Sequence, residues 1–83
     1  MKPRPDLAIE NAYGELIVLD KAAGQVHQLN SSASFVWTCL SEGLAIDEIA
    51  LELSEAFDIE PETALSDVRR TIEQFEELAL TVE

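Results

Sequence analysis

From Leu16 to Ala33 the chain runs through two apolar strand-like segments, one tight turn and a helix start, with no linker between them. Leu16-Ile17-Val18-Leu19-Asp20 is followed by Lys21-Ala22-Ala23-Gly24 and then by Gln25-Val26-His27-Gln28-Leu29, after which Asn30-Ser31-Ser32-Ala33 opens a helix. Short runs rich in branched apolar residues and bounded by turn residues read as strands. Gly24 supplies the positive φ that a tight hairpin turn needs, and Asn30 is a side chain suited to capping helical N–H groups. A hairpin whose second strand runs straight into a helix leaves a strand edge and a helix side by side. That arrangement suits capture of an extended peptide by strand addition.

The flanking segments complete the layout. Met1–Asp6, with prolines at 3 and 5, is expected to be a flexible, extended lead-in, and residues 7–83 a single domain. Leu7–Glu10 reads as a first strand, turned by Ala12-Tyr13-Gly14 into Glu15–Asp20. In Gln25–Leu29 the pattern is read with Val26 inward, His27 outward and Leu29 inward. Ala33, Val36, Trp37 and Leu40 recur at helical spacing before Gly43 stops the first helix. Ile46, Ile49, Ala50, Leu53 and Phe57 give a second apolar face, with Asp47 and Glu48 at the helix start, where the dipole favours acids. Pro61 takes the favoured first position of a third helix that buries Leu65, Val68, Ile72, Phe75 and Ala79. Leu80 and Val82 close the chain as an apolar tail. A three-stranded antiparallel sheet followed by three helices is an α+β domain of winged-helix-like order.

Charge removes whole classes of partner. The formal net charge is −12, and residues 31–83 carry thirteen acids against two bases. Such a field repels phosphate backbones and anionic lipid, so neither nucleic acid nor a membrane is expected as a partner. With 47% apolar and 27% charged residues the chain is globular. The single cysteine, Cys39, forbids an internal disulfide, and no apolar run completes a signal peptide or spans a bilayer. A cytoplasmic protein is expected.

Chemistry-bearing residues are sparse. His27 is the only histidine and reads as an outward polar group, with no partner for a metal pair. Cys39 sits among core residues as a small hydrophobe, without a CxxC motif or a basic neighbour to lower its pKa. The carboxylate pairs Asp47/Glu48 and Glu76/Glu77 read as solvated helix faces. No catalytic residue, metal site or cofactor is expected. On the third helix, Arg69 falls to one side of the buried stripe and Arg70 nearly opposite it. Asp67, Thr71, Gln74 and Leu78 line the other flank.

With this layout in hand, the chain resembles the PqqD-like family, the RiPP recognition elements. The residues that carry the resemblance are Ile17-Val18-Leu19-Asp20, Gly24, Leu29-Asn30, Ala33, the Leu40–Gly43 helix end, Ile46-Asp47-Glu48-Ile49, Leu53, Phe57-Asp58, Asp67-Val68 and Leu78–Val82. The resemblance implies a non-catalytic chaperone that binds the leader of a ribosomally made precursor peptide and presents it to a modifying enzyme or leader peptidase. It further implies that the leader adds as an antiparallel strand to Gln25–Leu29 and lies against the helix at about Ala64–Leu78. The candidate contacts are then Gln25, Val26, His27, Gln28 and Leu29 on the strand, with Asp67, Arg70, Thr71, Gln74, Phe75 and Leu78 on the helix. Which helix flank faces the groove stays open, as does a monomer against an edge-strand dimer. Two departures stand out: only Lys2 and Arg4 represent the basic N-terminal region of members acting on pyrroloquinoline quinone, and Ala79 replaces a family glycine near Leu80. The short stand-alone form looks more like the chaperones of lasso-peptide clusters.

Two other classes match part of the pattern. An acyl carrier protein is as short and acidic, but Asn30-Ser31-Ser32-Ala33-Ser34 contains no Asp-Ser pair for a prosthetic arm, and the first third is β-rich. A winged-helix transcription regulator shares the element order. Its recognition helix would be Pro61–Leu80, which holds five acids and two arginines.

Overall fold

The chain order in the computed structural model is β1 (Lys2–Pro3), β2 (Ala8–Ala12), β3 (Glu15–Asp20), β4 (Gln25–Gln28), α1 (Ser31–Ser41), α2 (Ile46–Phe57), α3 (Pro61–Glu77) and β5 (Thr81–Val82). Residues 1–82 are described; Glu83, the last residue of the expected domain, lies outside them. β2, β3 and β4 form an antiparallel sheet with β3 in the middle, and the three helices follow it. This is the expected α+β order. Among the described residues, no helix is long and apolar enough to cross a membrane.

Within the lead-in, Lys2–Pro3 is a short strand, and it is tied down. β1 pairs antiparallel with β5, Lys2 opposite Val82 and Pro3 opposite Thr81, so the two ends of the chain form a small second sheet. The tail Leu80–Val82 is part of this closure, and Leu80 is fully buried.

The pleat of β4 runs opposite to the expected phase. His27 lies across from Val18 and Val26 across from Leu19. Cross-strand partners share a face. Val18 is wholly buried, so His27 turns toward the interior and is half-buried, while Val26 is 67% exposed. Strict period-2 alternation from buried Leu29 gives the same answer, because residues three apart cannot share a sheet face.

Helix ends explain how the chain turns so sharply. Asn30 Oδ1 accepts the Ala33 N–H at 2.8 Å, the expected cap of α1. α1 closes with the Gly43 N–H donating to Leu40 O (3.0 Å) and the Leu44 N–H to Cys39 O (3.1 Å). That is a Schellman motif with glycine at the left-handed position, φ +85°. α3 ends the same way, Ala79 N–H to Glu76 O and Leu80 N–H to Phe75 O, both 2.9 Å. Here the left-handed residue is Ala79, φ +58°, so it lies beyond the helix and not on its buried stripe.

The core gathers Val18 and Leu29 from the sheet side with Val36, Trp37, Leu40, Ile49, Leu53, Ala64, Val68, Ile72 and Phe75 from the helices. Ala64 occupies the deep position expected for Leu65, which is half-buried. Ile46 and Phe57 bound the apolar face of α2 and are partly exposed, at 39% and 40%. Trp37 and Phe75 meet edge-to-face with centroids 5.2 Å apart, a contact that couples α1 to α3. Cys39 is buried within this core, and burial pushes its thiol pKa up.

Two outcomes follow from the chain ends. A non-glycine residue in the left-handed region costs about 1–2 kcal/mol, and glycine returns about 0.4–1 kcal/mol of that through the unfolded chain. Ala79→Gly is therefore expected to raise unfolding stability by roughly 0.5–1 kcal/mol, read from urea denaturation. At the other end, hydrogen bonds from the Arg4 guanidinium hold the Asp6 and Asp20 carboxyls below the usual carboxylate range. A depressed folded pKa contributes stability above the unfolded value of about 4 and loses it as pH falls through the folded value. Urea midpoints should drop on acidification below about pH 4, and drop less in Arg4→Met; parallel profiles would refute the link.

Candidate functional site

One hydroxyl organises the junction of strand and helix. Leu29 N–H donates to Leu16 O at 2.8 Å. The return bond of that antiparallel pair is replaced by Ser34, whose buried Oγ accepts the Leu16 N–H (2.9 Å) and donates to Leu29 O (3.2 Å). Ser34 thus stitches the first turns of α1 into the β3–β4 ladder. The sequence offered a weak signal for this, a serine one position off the apolar stripe of α1.

The same bond fixes which backbone groups of β4 are free. In an antiparallel ladder, successive residues alternate between facing the partner strand and facing away. Leu29 faces β3, so His27 and Gln25 do too, and the N–H and C=O groups of Val26 and Gln28 point outward. β4 is one edge of the sheet, β2 being the other, and α3 stands beyond the β4 edge.

Between them runs a hollow of about 380 Å³ lined by Val26, His27, Gln28, Leu29, Asn30, Ala33, Gln74, Phe75 and Leu78. Leu29 and Phe75 are buried, at 6% and 2% exposure, whereas Val26 and Leu78 are open to solvent. Phe75 is backed by Trp37, so this wall is stiff. None of the lining residues carries a formal charge, although the molecule as a whole is strongly acidic. His27 Nε2 is the exception to good pairing: among the described residues it is the buried side-chain nitrogen or oxygen without a hydrogen-bond partner. Buried polar atoms are normally paired, and this one sits at the groove.

The structure thus brings seven of the eleven candidate contacts to one hollow and adds Asn30 and Ala33, which the sequence presented as a cap and a core position. Gln25 lies at the start of β4, outside the lining. Thr71 and Asp67 lie one and two turns back from Gln74 on the same stripe of α3, beyond the hollow. Arg70 lines a separate depression with Glu62, Leu65, Ser66, Arg69 and Glu73, and its guanidinium pairs with Asp67. Gln74 and Leu78 identify the flank of α3 that faces the edge strand.

Comparison with known proteins places this geometry among relatives. The family model for coenzyme PQQ synthesis protein D (PqqD) matches residues 15–80. TbiB1 in complex with the TbiA(beta) leader peptide superposes with a TM-score of 0.89 at 21% identity, covering 96% of this chain and 93% of that one. Lasso peptide synthetase B1 complexed with the leader peptide likewise gives a TM-score of 0.89 at 21% identity, with 99% and 96% covered. No curated protein sequence matches the chain. At this identity the two structures establish a shared fold.

Ser34→Ala leaves the Leu16 N–H without its acceptor, and an unsatisfied buried donor costs about 1–3 kcal/mol. The variant is expected to lose stability in that range and to show faster amide exchange at Leu16 and Leu29. Unchanged exchange at both amides would refute the bridging role.

Proposed function

Because the chain belongs to the coenzyme PQQ synthesis protein D family, we propose that it is a non-catalytic adaptor. In this reading it binds the leader of a ribosomally made precursor peptide and presents it to the modifying enzyme or leader peptidase of the same pathway. The observation that carries the reading is the outward-facing backbone of Val26 and Gln28 at an edge strand, set opposite an apolar helix wall. A peptide laid antiparallel to β4 completes four main-chain hydrogen-bonding groups that otherwise meet only water. Its side chains then alternate between solvent and the pocket formed by Leu29, Ala33, Phe75 and Leu78. Gln74 and Gln28 supply polar contacts that fix register, and Asp67 and Thr71 extend the wall for a longer peptide. Two solved relatives with this fold hold a leader peptide, which supports the same use here.

Electrostatics shapes the choice of peptide. The groove is uncharged while the surrounding surface is acidic, so a leader with an apolar centre and basic flanks is favoured. The same repulsion works against two copies pairing through β4, and a monomer is the form we expect in the cytoplasm.

Proline at position 26 or 28 removes an outward N–H without deleting a β3–β4 bond. Val26→Pro and Gln28→Pro are therefore expected to keep the native circular dichroism spectrum and to lose calorimetric binding of a synthetic leader peptide that the parent protein binds. His27→Pro, which deletes a ladder bond inside the sheet, should instead lower stability. Leader affinity equal to the parent's in both folded edge variants would rule out strand addition at β4.

A further inference from the structure

The two walls of the groove belong to different parts of the fold. Among the described residues, no hydrogen bond runs directly between the β2–β3–β4 sheet and α3 or its C-terminal cap. Apolar packing between them resists separation but is non-directional, so it sets their spacing only loosely. One side chain makes the directional link, and it comes from the lead-in.

Arg4 reaches both walls. Its Nη1 donates to Ala79 O and to Asp20 Oδ2, each at 2.9 Å, and its Nη2 donates to Asp20 Oδ1 at 3.2 Å. Its main-chain N–H donates to Leu80 O, again at 2.9 Å. Ala79 and Leu80 directly follow Leu78, the last groove residue on the helix side. Asp20 ends β3 and begins the turn into β4, and its Oδ1 also accepts the Ala23 N–H at 3.2 Å within that turn. Asp6 holds the guanidinium from outside through Nε (3.1 Å) and Nη2 (2.8 Å). Asp20 is 2% exposed and the Arg4 side chain 20%, so this ion pair is shielded from water on the protein side. A planar fork with fixed donors is the group that can engage a carboxylate and a carbonyl together at set angles; a lysine ammonium cannot hold both in that geometry.

We propose that Arg4 is a positioning residue: it clamps the β3–β4 hairpin to the C-terminal cap of α3, sets the width of the groove and so preorganises it for an extended peptide. The clamp also gives the lead-in a role in recognition without touching the peptide. Ala79 presents its carbonyl to Arg4 from a left-handed conformation, φ +58°, so backbone strain is retained at the point where the clamp grips. This proposal rests on the reading of the groove as a peptide site, and the test separates the two.

Cysteines introduced at exposed Ala22 and Glu76 carry spin labels on opposite sides of the clamp, while native Cys39 stays buried. In the parent, a narrow distance distribution is expected by double electron–electron resonance. Arg4→Met and Asp20→Asn should broaden it, with Arg4→Lys between them and the parent. Leader affinity should fall about tenfold in Arg4→Met, the cost of ordering a loosened site at binding, and less in Arg4→Lys. Ile49→Val, a core change in α2 away from Arg4, lowers stability and should alter neither distance nor affinity. A distribution as narrow in Arg4→Met as in the parent, or Ile49→Val loosening the site equally, overturns the clamp. A parent that binds no leader overturns the peptide reading, and the label distances alone then decide whether Arg4 sets the spacing.

Discussion

The Ser34 hydroxyl, held between the Leu16 N–H and the Leu29 carbonyl, is the contact from which the rest of the arrangement follows. It replaces one bond of the β3–β4 ladder and so ties the start of α1 to the sheet. With α1 anchored there, Trp37 is placed to receive Phe75 edge-on, and Phe75 positions α3 beside the free edge of β4. A buried hydroxyl with both a donor and an acceptor satisfied is directional in a way that the surrounding apolar packing is not. The position of the groove therefore descends from a polar contact, even though its walls are largely apolar.

An exposed strand edge beside an apolar wall invites indiscriminate pairing. Several features of this chain limit that. β4 is short, its accessible side is narrowed by α3, and the acidic surface keeps copies apart. The groove itself carries no charge, so the penalty on self-association need not fall on a peptide with a different charge pattern. The uncharged groove and the acidic remainder are thus different surfaces of the same small domain.

Much of the fold was legible in local signals. Asn30 as a cap, Gly24 and Gly43 at positive φ, Pro61 at a helix start and the order of strands and helices all rest on short-range backbone physics. The facing of β4 was misread because Val26 looked like a core residue. The pleat depends on what lies across the strand, and opposite Val26 is Leu19 on the outer face. Arg4 and Asp20 gave no signal as a pair, being sixteen positions apart in a segment that reads as loose. Their contact exists only because the chain ends meet.

The short terminal strands were not legible in the sequence; by itself it determined the three central strands and three helices in their order, a lack of any strong catalytic or metal-binding pattern among its residues, and a charge that disfavours nucleic acid. These follow from periodicity, capping and composition, which act over a few residues or over the whole chain at once. Tertiary structure decided which flank of α3 meets β4, which backbone groups of the edge are free, and how the lead-in is used. Those depend on register and on contacts between distant segments, where a one-residue change in pleat exchanges the two faces of a strand. The hairpin that runs into a helix was written locally; the groove beside it was made by what packed against that hairpin.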